Sequence, residues 1–278
     1  MKLKTSKRGK FFFARNSPMT EKIKSEELVK AVTKRFLKYV TIETTSVEDA
    51  KEIPSTPCQF DLAKLLVKEL KELGLKDARH DKHAYVYATL PASDEEAAKK
   101  PVIGFIAHLD TSFAVSGKNV KPIVHRNYRG GNIALPNDKK LKITPKSSPI
   151  LKKLIGHDII TADGTTLLGA DDKAGIAAIM GAVEYMVNHP EIRHGTVKIA
   201  FTPDEEVGRG ADLFDVEGWN ADFAYTVDGE AEGDLNIETF NAASATVQFH
   251  GKNVHPGYAK GIMINSCLLY TSPSPRDS

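Results

Sequence analysis

Apolar residues recur along this chain with two periods that take turns. Leu28, Val29, Val32, Phe36, Leu37 and Val40 fall on one face at helical spacing, and Ser25 stands where a cap would. A helix is therefore expected over residues 26–40. A second stripe, Leu62, Leu66, Leu70 and Leu73, stops at Gly74 and predicts another amphipathic helix. The polar, proline-bearing stretch 41–57 between them reads as a loop. Residues 84–90 alternate like a strand. The run VIGFIA at 102–107 is continuously apolar and of strand length, the pattern of a strand covered on both faces. Short β-like pieces follow at 158–160 and 166–168, around the turn Asp163-Gly164. A small-residue helix then opens after Gly169 and reaches about Asn188. Further strands are expected at 196–202 and 223–227. Residues 111–153 are irregular, and loops of that length are functional or carry small hairpins. Strands alternating with helices predict an α/β fold with a mainly parallel mixed sheet flanked by helices.

The texture changes from Asp234. Residues 235–239 and 243–249 look like antiparallel strands, and 254–264 begins a new unit, the start of an α+β lid-like domain. The expected division is a disordered N-terminal extension over 1–19 with Met19 as the natural start, a main domain over 20–240, the incomplete second domain over 241–266, and a non-native tail, CLLYTSPSPRDS, over 267–278. Composition narrows the function. Of 278 residues, 41% are apolar and 27% charged, and the net charge is +2. That balance leaves no electrostatic footprint for nucleic acid. The two cysteines, Cys58 and Cys267, form neither a disulfide framework nor a thiolate metal site, which fits a reducing cytoplasm. There is no run of ~18 apolar residues to span a membrane. Any metal must be held by histidine and carboxylates.

Such residues collect at the carboxyl ends of the expected strands, where ligands bind in open α/β sheets. VIGFIA leads to His108 and Asp110, LLG to Asp171 and Asp172, KIAFTP to Asp204-Glu205-Glu206, and FAYTV to Asp228. An ionised carboxylate is costly to desolvate unless paired or metal-bound. Without a cation this cluster would push its own pKa values upward; two divalent ions would neutralise it. Imidazole and oxygen ligands without sulfur suit zinc, with manganese or cobalt as substitutes. In His108-Leu109-Asp110, residues two apart share a strand face, so the histidine can ligate while the aspartate takes its other ring N–H. Of Glu205 and Glu206, one is expected to ligate and the other to act as general base. Asp171, on a glycine-flanked turn at a helix start, can bridge two ions ~3.5–4 Å apart. Asp172 and Lys173 read as capping and surface charges. GADDKAG lacks the ending of a P-loop. His80, His83, His125, His157, His189, His194 and His250 read as surface residues, whereas His255 sits at a turn before a helix in the second domain.

HLDTS, GADDKAG, FTPDEEVG, YTVDG and NVHPG, in this order over about residues 20–266, resemble the peptidase T family, tripeptide aminopeptidases of the di-zinc aminoacylase/carboxypeptidase superfamily. The resemblance implies a cytoplasmic zinc exopeptidase with a catalytic α/β domain and an inserted lid domain, which in relatives can mediate homodimerisation. It implies two zinc ions per complete subunit and a small peptide as substrate. His108 and Asp228 match ligands of the first zinc, Asp171 the bridging carboxylate and Glu206 a ligand of the second zinc. Asp110 matches the aspartate that orients the histidine, Glu205 the general base, and His255 a lid histidine that helps polarise the substrate carbonyl. Glu230 departs from the small residue common at its position. The family's last zinc ligand, a histidine near the C-terminus, has no counterpart here, so an incomplete second zinc site is expected of this chain. The same site would also serve a related dipeptidase, aminoacylase or carboxypeptidase, or a metal-binding module without activity.

Overall fold

The computed structural model describes residues 25–229, 233–237, 243 and 245–270, in two units, Met1–Glu232 and Gly233–Ser278. The first unit opens with helices α1 (Ser25–Tyr39) and α2 (Gln59–Glu72), strands β1 (Arg79–His80) and β2 (Val86–Leu90), helix α3 (Glu95–Ala98) and strand β3 (Ile103–His108). Short strands β4 (Ile123–His125), β5 (Ile133–Leu135), β6 (Asp138–Ile143) and β7 (Ile159–Thr161) follow. Then come α4 (Ala170–Asn188), β8 (Val197–Thr202), α5 (Val216–Trp219) and β9 (Phe223–Thr226). The helix expected over 26–40 and the strands at 102–107, 196–202 and 223–227 thus appear within a residue or two. The side chain of Ser25, the expected cap, lies outside the described residues.

A five-stranded mixed sheet in the order β1-β2-β8-β3-β9 organises the unit. β3 runs parallel to both β8 and β9, while β2 is antiparallel to β8 and to β1. Strand alternation sorts side chains onto two faces. Val86, Ala88, Ala107, Ile199 and Phe201 pack with Leu62, Leu66 and Leu70 of α2 and Ile176 and Met180 of α4 in the main core. Tyr85, Tyr87 and Ala200 face the other way, toward Trp219 and Phe214. α1 lies against α4, and a Cβ at Gly181 would stand 2.5 Å from Val32, so this crossing depends on a residue without a side chain. The irregular stretch after β3 does carry a small hairpin, β5–β6, and a β4–β7 pair. Residues 166–168 are not a strand; Leu167 N–H donates instead to the Ser116 carbonyl in a loop at 2.9 Å.

In the second unit the described parts of 235–239 and 243–249 are irregular rather than paired strands; the other residues of those two segments lie outside the described residues. A bridge joins Lys252 to Ile264, a single 3-10 turn spans Pro256–Tyr258, and α6 covers Ser266–Tyr270. No described helix is long and apolar enough to cross a membrane.

Candidate metal centre

Register brings the strand ends level. His108 at the end of β3 pairs with Thr202 at the end of β8. Leu109 N–H reaches the Thr202 carbonyl at 2.7 Å, and Val227 N–H reaches Ile106 at 2.7 Å, so the residues after β3, β8 and β9 leave the sheet at one edge. The start of α4 meets them there. Gly169 takes a left-handed φ of 76°, and Asp171 and Asp172 are non-helical within the element; the peptide between them is cis. A Cβ at Gly175 would lie 2.1 Å from the Val227 carbonyl and 2.3 Å from Asp172 Oδ1, so only glycine lets α4 approach β9 this closely. Gly175→Ala is expected to cost about 1–3 kcal/mol and to weaken metal binding as well, because its displacement falls on Asp172. Chemical denaturation paired with a metal titration checks both.

His108 is buried, and its Nε2 faces a ring of carboxylates: Asp171 Oδ1 at 2.8 Å, Glu205 Oε2 at 3.8 Å and Asp228 Oδ2 at 3.9 Å. Its Nδ1 lies 3.0 Å from the Asp110 carbonyl and 3.3 Å from Asp110 Oδ1. Nδ1 is therefore held on the Asp110 side, and Nε2 is left facing the carboxylates. The buried Asp110 carboxylate has a second task. It accepts Glu205 N–H at 2.9 Å and Glu206 N–H at 3.1 Å, the free amides that open the 3-10 turn Glu205–Val207. Sequence spacing does not foresee this grip.

Two sets of three residues each offer ligand atoms within 4.8 Å of one another: His108, Asp172 and Asp228, and His108, Asp171 and Glu206. His108, Asp110, Asp171, Glu205, Glu206 and Asp228 are thus brought together. Asp172 joins them, which its reading as a capping or surface charge missed. It does cap, through Gly175 N–H at 3.0 Å, but it is buried and also accepts His108 N–H at 3.2 Å. Lys173 is likewise not at the surface. It is 1% exposed, with Nζ donating to the Ile42 carbonyl at 2.6 Å, and burial pushes it down to about 8. Gly169 is the signal: a Cβ there would stand 3.8 Å from the lysine stem and from Nζ. His255 belongs to the second unit, where its exposed ring accepts Gly257 N–H at 3.2 Å. The other seven histidines are half-buried or exposed.

The electrostatics are those of a cluster short of positive charge. Burial, then the charge of Asp228, pushes Asp172 up to about 8. Burial also raises Glu205, Glu206 and Asp228, with neighbouring carboxylates adding to it. Burial alone would push the His108 imidazolium down, but Asp110, Asp172 and Asp171 outweigh it and hold it up at about 10. A bound divalent cation would favour the ionised carboxylates and offset these shifts. Convergent imidazole and carboxylate donors with no sulfur fit zinc or a similar divalent ion.

The family model described as peptidase family M20/M25/M40 matches residues 162–259. Peptidase T of Alkaliphilus oremlandii is 56% identical over 238 residues, 86% of this chain and 58% of its own length. Over the part they share, the chain is a homologue of the peptidase T proteins. Peptidase T of Listeria monocytogenes serotype 4b (strain F2365) is 52% identical over 255 residues, 91% of this chain and 61% of its own. The chain therefore spans about three-fifths of the length of these peptidase T relatives. Among solved structures, aminopeptidase PepT from Bacillus cereus shares the fold at TM-score 0.53 and 22% identity, over 90% of this chain and 58% of its own. A tripeptidase from Staphylococcus aureus matches at TM-score 0.50 and 26% identity, over 73% and 44%.

Proposed function

We propose that this chain carries the metal centre of a cytoplasmic aminopeptidase that removes the N-terminal residue from tripeptides. The observation that supports it most is the ring of Asp171, Glu205 and Asp228 around the buried His108 Nε2. The printed names of the relatives, peptidase T, aminopeptidase PepT and tripeptidase, favour a peptide substrate. His108, Asp171, Glu206 and Asp228 would hold two zinc ions, with manganese or cobalt able to replace them, and Asp172 stands by as a further donor. Zinc bound there would supply Lewis acidity and a water of lowered pKa. Asp110 keeps His108 Nδ1 engaged and fixes the Glu205–Glu206 turn through its amides. Glu205, the half-exposed member of the ring, takes the proton from the attacking water and returns it to the leaving amine. His255 is the proposed substrate-facing residue of a lid domain through which two copies would dimerise.

The division at 20–240 and 241–266 is part of the same proposal. A version carried on to the length of the peptidase T relatives, reconstituted with zinc, should release the first residue of trialanine. It should act far more slowly on dialanine and on acetyl-alanine. Faster cleavage of the dipeptide or the acetylated amino acid would move the reading to a dipeptidase or aminoacylase.

A further inference from the structure

Asp204 is the first residue of the acidic triplet and the only one without a part in the metal reading. It is 0% exposed. Its Oδ2 accepts Ser55 N–H at 2.6 Å, and its Oδ1 accepts Ser55 Oγ–H at 2.5 Å and Gln59 Nε2–H at 2.7 Å. Gln59, also 0% exposed, returns the contact: its Oε1 accepts Asp204 N–H at 3.3 Å. The backbone of Asp204 is left-handed, φ 56° and ψ 30°, a conformation that aspartate and asparagine tolerate better than most residues. This reversal turns the chain off the end of β8 and aims the next two amides at Asp110. The far side of the turn is tied down too. Arg209 N–H donates to the Asp204 carbonyl at 2.9 Å, and Arg209 Nη1 to the Ala50 carbonyl at 2.8 Å.

We propose that Asp204, clamped by Ser55 and Gln59, is a positioning residue that sets where Glu205 and Glu206 present their carboxylates to the metal centre. Glu205 and Glu206 are carried on a single turn, closed within itself by Gly208 N–H donating to the Glu205 carbonyl at 2.7 Å, so where that turn sits depends on what holds it from outside. Asp110 grips its amides from the β3 side; Asp204 grips it from the segment that opens α2. A ligand on so short a support depends on its anchors, as metal ligands depend on the groups that orient them. Neutralising the aspartate would turn one acceptor into a donor facing Ser55 and Gln59 and leave buried donors unpaired.

The inference rests on the metal reading, and cobalt binding tests it without reference to activity. The metal-stripped 278-residue chain is titrated with cobalt(II) and followed by visible absorption, which reports ligand geometry. Asp204→Asn keeps volume and the left-handed backbone; it should bind cobalt about 10–100-fold more weakly with an altered band. Asp204→Asn combined with Gln59→Glu returns one carboxylate and one amide to the buried pair, with roles exchanged, and should restore both affinity and band. Gln59→Met, which removes Gln59's half of the clamp but keeps Ser55 and Asp204, should weaken binding in the same direction, and decides the matter should Asp204→Asn fail to fold. Unchanged affinity and band in Asp204→Asn or Gln59→Met, with only a lower melting temperature, would reduce Asp204 to a structural staple and overturn the proposal. A wild-type chain that takes up no cobalt would overturn the metal reading, and this proposal with it.

Discussion

Glu205→Gln is expected to lower kcat on a tripeptide by about 10²–10⁴-fold while bound zinc stays at the wild-type level. Glutamine keeps the size of the side chain and can still accept a hydrogen bond, but it cannot hold a proton in transit. The change is confined to chemistry because the backbone of residue 205 is fixed by its N–H, which donates to Asp110 Oδ1 at 2.9 Å. Its side chain is half exposed and 3.8 Å from His108 Nε2, close enough to reach a water at the centre. In the metal-free chain burial raises this carboxyl above its ordinary range. Zinc content by elemental analysis and kcat on trialanine, in the version carried on to the relatives' length, check both halves. A kcat within tenfold of wild type would remove Glu205 from the proton path, and lost zinc would make it a ligand instead.

Stripping metal should make the chain less stable as pH rises from about 5 to about 8, with the melting temperature falling by about 10 °C, equivalent to a few kcal/mol. The sign follows from the direction of the shifts. Asp172 is pushed up to about 8 and Glu205, Glu206 and Asp228 are raised, so the folded chain holds protons that the unfolded chain has released. That advantage is complete below the ordinary carboxylate range and is lost as pH climbs through the raised values. His108, held up at about 10, acts in the same direction from about pH 6.5 upward. Lys173, pushed down to about 8, acts oppositely above that pH, which closes the window. Saturating zinc should reverse the slope, because its ligands must give up their protons to bind. Thermal melts with chelator and with zinc across this range check it. A metal-free melting temperature that is flat or rises toward pH 8 would contradict the charge balance described for the cluster.

Much of this was legible in the sequence. VIGFIA, KIAFT and FAYT are apolar runs whose lengths suit only strands, and the residues following them are polar without a packing reason. That contrast marks His108, Asp110, Glu205, Glu206 and Asp228; Asp171 is marked instead by the glycine-flanked helix start GADDKAG, since the LLG before it is no strand. What stayed hidden depends on contacts distant in the chain. Asp172 and Lys173 look like solvated charges at a helix start until the start itself is buried, as glycines 169 and 175 permit. Asp204 reads as one more acid in a loop. Its role appears only when Gln59 and Ser55, some 145 residues earlier, arrive beside it. The piece at 166–168 has a strand's composition but no strand to pair with, and a β-pattern without a partner settles as a loop.

The central claim is that groups from the ends of β3, β8 and β9 and from the start of α4 surround a divalent cation. Zinc-edge anomalous diffraction from crystals of the zinc-loaded chain tests it most directly. The account predicts a peak about 2.0–2.1 Å from His108 Nε2, with carboxylate oxygens drawn from Asp171, Asp172, Glu206 and Asp228 completing its coordination. Density showing His108 still hydrogen-bonded to Asp171, with no anomalous peak between them, would contradict it.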